Sequence, residues 1–225
     1  MRFEQHQDGY ININNKEIYH SGLQLRWLKE FNVKPDIIFD FGSEYLGDSI
    51  RYRMNFPCEI FAFEANVNLY NKTIELAKEY NINLENIAIS DVDGTIMFEE
   101  AIQNGEPVGC GTIMSRTEKY KNTFPSFEYM PKIPVLSKRL DTICLEKNIK
   151  EISLVHMDVE GAELLCLKSL GKIRPKAVFF EKCYAKDFYD GNGAYDYKEI
   201  IEYMLSMNYS QEIETQVDTF FVLNK

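Results

Sequence analysis

The densest run of chemistry in the chain is His156-Met157-Asp158-Val159-Glu160-Gly161-Ala162-Glu163, where three carboxylates and a glycine directly follow an apolar segment. Like charges this close repel one another unless a cation, a ligand or raised pKa values compensate, and that tension is typical of working sites. Asp158 suits a general base, or one ligand of a divalent cation with Glu181, at the end of a later apolar run, as second oxygen donor. Glu160 and Glu163 can equally complement the dipole of a following helix. His156 is another candidate base, though a lone histidine in a strand more often packs and hydrogen-bonds.

Two earlier segments complete the set. In Asp40-Phe41-Gly42-Ser43-Glu44-Tyr45-Leu46-Gly47-Asp48-Ser49, Gly42 lets the backbone turn sharply and approach a ligand, and Asp40 is expected to face that ligand's amino group. Gly42 and Gly47 have the spacing of a phosphate loop and Ser49 its hydroxyl, but Asp48 stands at the lysine position and repels phosphates. The dinucleotide pattern G-x-G-x-x-G is also absent, because Glu44 replaces the second glycine. Nucleotide hydrolysis and nicotinamide chemistry are therefore disfavoured. Glu64 lies 24 residues after Asp40 and closes the run Ile60-Phe61-Ala62-Phe63. There an acidic side chain can accept hydrogen bonds from both hydroxyls of a ribose.

Such residues converge only if their strands lie side by side in an open α/β sheet, whose ligands bind beyond the carboxyl ends of the strands. From residue 36 the chain alternates apolar runs with helix-period segments, as βαβ units do. Strands are expected at 36–41, 60–63, 86–89, 152–157, 177–180 and 219–223. Asp93-Gly94 is a turn signal before Thr95 to Phe98, which suggests a hairpin. Helices are expected over 46–55, after Glu64 through Val67, Tyr70, Ile74 and Ala77, over 162–170, and through Tyr197, Ile200, Ile201, Met204 and Leu205. Residues 1–35 read as a helical preface, with Ser21 as N-cap and Leu23, Trp27, Leu28 and Phe31 on one apolar face. Residues 100–134, rich in Gly, Pro and aromatic residues, read as a substrate-facing lid, a disordered insertion being the alternative.

At 225 residues and 45% hydrophobic composition the chain supports one domain spanning 1–225. Twenty-five Lys and Arg against 35 Asp and Glu give a net charge of −10, which repels polyanions and argues against nucleic acid. Cys58, Cys110, Cys144, Cys166 and Cys183 are odd in number and form no C-x-x-C pair, which fits a reduced, cytoplasmic protein. The N-terminus has no signal-peptide core, and no stretch of about 18 apolar residues could span a membrane. Sequons at Asn71 and Asn208 are read as accidental, and a homodimer is left open.

At these residues the chain resembles the FkbM family of S-adenosylmethionine-dependent methyltransferases, whose late hallmark is lysine-x-aspartate-x-glutamate-glycine-x-glutamate. His156 stands where lysine is common. Phe61-Ala62-Phe63-Glu64-Ala65-Asn66, Asn86-Ile87-Ala88-Ile89-Ser90-Asp91 and Arg139-Leu140-Asp141 extend the similarity over residues 36–182. The family's aspartate-x-glycine-alanine-asparagine loop is matched loosely by Asp40, Phe41, Gly42, Ser43 and Glu44. The resemblance implies a Rossmann-like seven-stranded methyltransferase sheet, mostly parallel with an antiparallel last strand and helices on both faces. It implies S-adenosylmethionine as cofactor; the strand-end residues expected to hold it are Asp40, Gly42, Ser43, Glu64, Ala65, Ala88 and Asp158, and Asp158, His156 and Glu160 are the candidate catalytic residues. The expected acceptor is a hydroxyl of a small molecule, a sugar or nucleotide sugar, bounded by segments 110–129 and 190–196. The similar arrangement in metal-dependent sugar O-methyltransferases suggests a divalent cation on Asp158 and Glu181. The alternatives are a polymer 2′-O-methyltransferase acting on RNA, or a catalytically silent nucleoside-binding module.

Overall fold

Ile37-Ile38-Phe39-Asp40-Phe41 is rich in β-branched and aromatic side chains with no polar face, a pattern that forms a strand covered on both sides. The computed structural model describes residues 1–3, 8–13, 16–21, 24–182, 185–191 and 194–225. Its main sheet contains β1 (Arg2–Phe3), β2 (Ile37–Phe41), β3 (Glu59–Phe63), β4 (Asn83–Glu85), β5 (Leu154–Met157), β6 (Ala177–Glu181), β7 (Tyr209–Glu214) and β8 (Asp218–Leu223). The strand order is β1-β7-β8-β6-β5-β2-β3-β4, with β8 antiparallel to both neighbours and every other pair parallel. The sheet therefore has eight strands instead of the expected seven, the two-residue β1 adding an edge.

Side chains alternate across this sheet and feed two cores. Phe39, Phe41, Val155, Met157 and Phe180 face one way, towards Leu140–Glu146, Glu163–Lys168 and Tyr197–Ser206. Ile38, Leu154 and Phe179 face the other way, towards Gln24–Glu30, Gly47–Asn55 and Val67–Glu79, where Trp27 is fully buried. The chain reverses its direction of winding between β2 and β5, so the crevice for a ligand opens at the carboxyl ends of these two strands.

Several expectations are corrected. Asn86 to Ile89 is not the third strand of the main sheet; Asn83–Glu85 takes that place, while the Asn86 side chain donates to the carbonyls of Glu64 and Ala65. Ala88–Ile89 and Gly94–Phe98 do not pair as a hairpin, because Ile133–Lys138 lies between them. Pro134 is tolerated in that strand because Ala88–Ile89 reaches only Ser137 and Lys138, leaving the proline at an edge. The N-terminal preface is not all helical, since Asp8–Ile13 and Lys16–Ser21 pair as an antiparallel hairpin. Leu23, the Ser21 side chain, Cys183, Asn192 and Gly193 lie outside what the structure describes. Among the described residues, no helix is long and apolar enough to cross a membrane.

Candidate functional site

Three hollows meet where β2 and β5 end, and Gly42 and Asp158 line all of them. The first, of about 460 Å³, runs from Glu64 and Ala65 past Ala88 to Asp158, with Phe63, Ile87 and Phe98 among its apolar walls. The second, of about 640 Å³ and open to solvent, lies between Tyr10, Glu44, Gly109, Cys110, Asp158 and Glu160. The third, of about 290 Å³, is lined by Asp40, Ser43, Glu44, Asp48, His156 and Asp158.

Glu64 follows β3 and is 6% exposed. Its carboxylate accepts the backbone N–H groups of Glu44 at 2.8 Å and Asn66 at 2.7 Å, one on each oxygen. Burial pushes its pKa up to about 7; the two backbone hydrogen bonds pull against that rise, and Glu44 and Asp40 add to it. Gly42 holds a left-handed φ of 74°, and a Cβ there would stand 1.8 Å from the Asp158 carbonyl oxygen. Only glycine lets the two strand ends touch. The Asp158 N–H in turn donates to the Phe41 carbonyl at 2.9 Å.

Asp158 is half-buried, and its carboxyl is held well above the ordinary carboxylate range by burial and then by Glu181, Glu160, Glu44 and Glu163. Glu160 takes a left-handed φ of 50° and accepts the Tyr189 hydroxyl at 2.7 Å. Glu163 is buried on the helix side, accepting the Tyr195 hydroxyl at 2.5 Å and the Gly161 N–H at 3.1 Å, so it braces the turn from within. Burial pushes its pKa up to about 7, as it does for Glu44, where Asp48 and Glu160 add to the effect.

The expected site residues divide. Gly42, Glu64, Ala65, Ala88 and Asp158 line the first hollow, whereas Asp40, Ser43 and His156 line only the third. Strand parity is the reason: Asp40 shares a face with Ile38, and His156 shares one with Leu154, so both point under Gly47–Asn55. They pair there, His156 Nδ1 lying 3.0 Å from Asp40 Oδ1 while the Ser49 hydroxyl donates to Asp40 at 2.5 Å. Glu160 lines the second hollow.

The divalent cation finds no matching donor set. Among the described residues no three His, Cys, Asp or Glu side chains group as metal ligands. Asp158 and Glu181 do not gather a third such side chain, and nothing below is routed through a metal.

Arg116 escaped sequence reasoning, because a single arginine in a polar stretch carries no pattern. Its buried guanidinium pairs with Glu99, donates to the Cys110 carbonyl, and lies 5.1 Å from the ring centroids of both Tyr120 and Tyr129. It thereby ties the segment around Cys110, a wall of the second hollow, to the body of the 100–134 region.

The crowded carboxyls make a thermodynamic prediction. A carboxyl whose folded pKa is raised keeps a proton that the unfolded chain has already released, so stability falls as pH climbs from about 4.5 to about 7 and then levels. For Glu64 alone, moving from 4.5 to about 7 corresponds to about 3 kcal/mol, and coupled neighbours add less than their sum. His156, raised by Asp48 and Asp40 against its own desolvation, also loses stabilisation with rising pH. The ligand-free protein is expected to melt higher at pH 5.5 than at pH 8 in scanning calorimetry; the opposite order contradicts the electrostatic account.

The family model described as Methyltransferase FkbM domain matches residues 42–210. A curated relative, the 2-O-methyltransferase NoeI of Sinorhizobium fredii, is 29% identical over 136 residues, covering 58% of this chain and 56% of its own length. The chain thus spans little more than half of that relative. A solved structure, the precorrin-6y C5,15-methyltransferase of Geobacter metallireducens, overlays with a TM-score of 0.50 at 10% identity, across 91% of this chain and 89% of that one. That likeness is one of fold.

Proposed function

The chain belongs to the methyltransferase FkbM family, and from that premise we propose that it moves the methyl group of S-adenosylmethionine onto a hydroxyl oxygen of a small, sugar-like acceptor. The observation that carries this reading is Asp158 lining both the first hollow and the wider second one, where cofactor and acceptor would meet. The oxygen as target draws on the relative named a 2-O-methyltransferase. The net charge of −10 supports a small acceptor over RNA.

The first hollow fits the cofactor on its own terms. Glu64 spends one lone pair of each carboxylate oxygen on a backbone N–H, leaving acceptor capacity for two ribose hydroxyls. Ala65 and Ala88 leave space, and Ile87, Ile89 and Phe98 form an apolar slot for a flat base. When bound, S-adenosylmethionine supplies a methyl group activated by a sulfonium. Asp158 removes the acceptor proton as the new bond forms, since an unassisted hydroxyl is a weak nucleophile. Glu160, held by Tyr189, lines the acceptor side. The Asp40–His156 pair joins the carboxyl ends of β2 and β5 beneath the site and acts by positioning.

Calorimetric titration with S-adenosylhomocysteine and with NAD tests the reading. The first is expected to bind and the second not, and the reverse order of affinity overturns the proposal.

A further inference from the structure

We propose that the hollow beside the cofactor cleft takes a hydroxyl compound carrying a protonated amine, such as an amino sugar, and disfavours phosphorylated or carboxylated acceptors. The inference rests on the methyl-transfer reading and adds the charge class of the acceptor.

The hollow of about 640 Å³ shares Gly42, Gly109 and Asp158 with the first one, so an occupant reaches Asp158 directly. Glu44, Asp158 and Glu160 bring three carboxyls to it, which a bound cation would favour in their charged form, and none of the described residues lining it is basic. Arg116, which holds the Cys110 carbonyl, is buried against Glu99 and does not line the hollow. A phosphate placed here meets carboxylates and no compensating cation, whereas an ammonium meets charge-assisted acceptors.

Two observations besides charge bear on this region, an unpartnered hydroxyl in the adjoining small hollow and an aromatic ring on the larger one. Ser43 is 6% exposed, its hydroxyl has no hydrogen-bond partner, and it lines the small hollow that shares Gly42, Glu44 and Asp158 with the larger one. A buried hydroxyl without a partner is costly unless a ligand satisfies it. Tyr10, 66% exposed on the N-terminal hairpin, also lines the larger hollow. That hairpin lies outside the 42–210 family match, and its Tyr10 ring suits a cation over its face. A sulfonium bound in the first hollow would offset one negative charge on the Asp158 side, and an ammonium between Glu44, Glu160 and Tyr10 offsets a second.

Calorimetric titration of the full chain saturated with S-adenosylhomocysteine separates the outcomes. Glucosamine is expected to bind about tenfold tighter than N-acetylglucosamine, with glucose 1-phosphate weakest. Glu160→Gln and, independently, the exposed Tyr10→Ala are each expected to reduce that preference to about threefold or less. Equal affinity for glucosamine and N-acetylglucosamine, tightest binding of the phosphate, or no binding of any of the three overturns the charge assignment and leaves the methyl-transfer reading standing. Full retention of the preference in both variants overturns it as well. Failure of S-adenosylhomocysteine itself to bind overturns that reading, and this inference with it.

Discussion

Asp158→Asn is expected to lower kcat for methyl transfer by about 10²- to 10⁴-fold, the usual worth of a positioned general base, with KM for the cofactor moving far less. Asparagine nearly matches the shape of aspartate, and the Asp158 N–H to the Phe41 carbonyl is a backbone contact the change does not touch. The same substitution removes the carboxyl that burial, Glu181, Glu160, Glu44 and Glu163 all disfavour in its charged form. The variant is therefore expected to melt higher than the parent at pH 8, because the unfolded parent ionises freely a carboxyl that the fold disfavours in its charged form. Loss of activity with gain of stability separates a base from a merely structural residue, for which both would fall together. Comparable kcat values for the variant and the parent on any acceptor the parent methylates remove Asp158 from the proton transfer.

The strand ends were legible because each apolar run stops at a glycine or a carboxylate: β2 is followed by Gly42, β3 by Glu64, β5 by Asp158, while β6 ends at Glu181. Parity was the information left unused. Counting in twos from Ile38 puts Asp40 on the face that Gly47–Asn55 covers, and the same count from Leu154 buries His156 beside it. Both residues carry chemistry-bearing side chains, yet the pleat turns them into one another and away from the first hollow. Tyr209–Glu214 was invisible because it is mostly polar and a bulge between Gln211 and Ile213 breaks its alternation. The strand Ile133–Lys138 hid behind Pro134, and its partners lie about 40 residues earlier in the chain, a pairing that local pattern cannot foresee. The Arg116 clamp has the same origin, since it joins Glu99, Cys110, Tyr120 and Tyr129 through tertiary contact alone.

Glu64 carries the second large effect, and its environment makes the outcome dependent on which atom is removed. Glu64→Gln keeps the volume but replaces one acceptor oxygen by an NH₂ donor. That group must then face either the N–H of Glu44 or that of Asn66, both of which now donate into the carboxylate. Two donors opposed at hydrogen-bond distance leave a buried N–H unsatisfied, which costs about 1 to 3 kcal/mol. The ribose also loses a charged acceptor, worth a similar amount, so cofactor affinity is expected to fall by about 10- to 100-fold in calorimetric titration. In the parent protein the same carboxyl titrates at about 7 when no ligand is present. Only its charged form offers acceptors on both oxygens, so S-adenosylhomocysteine is expected to bind more weakly at pH 5.5 than at pH 8, with protons released on binding near neutrality. In Glu64→Gln that pH dependence shrinks, because residue 64 no longer titrates. An unchanged pH profile together with unchanged affinity in the glutamine variant would mean that the ribose grip lies elsewhere in the crevice.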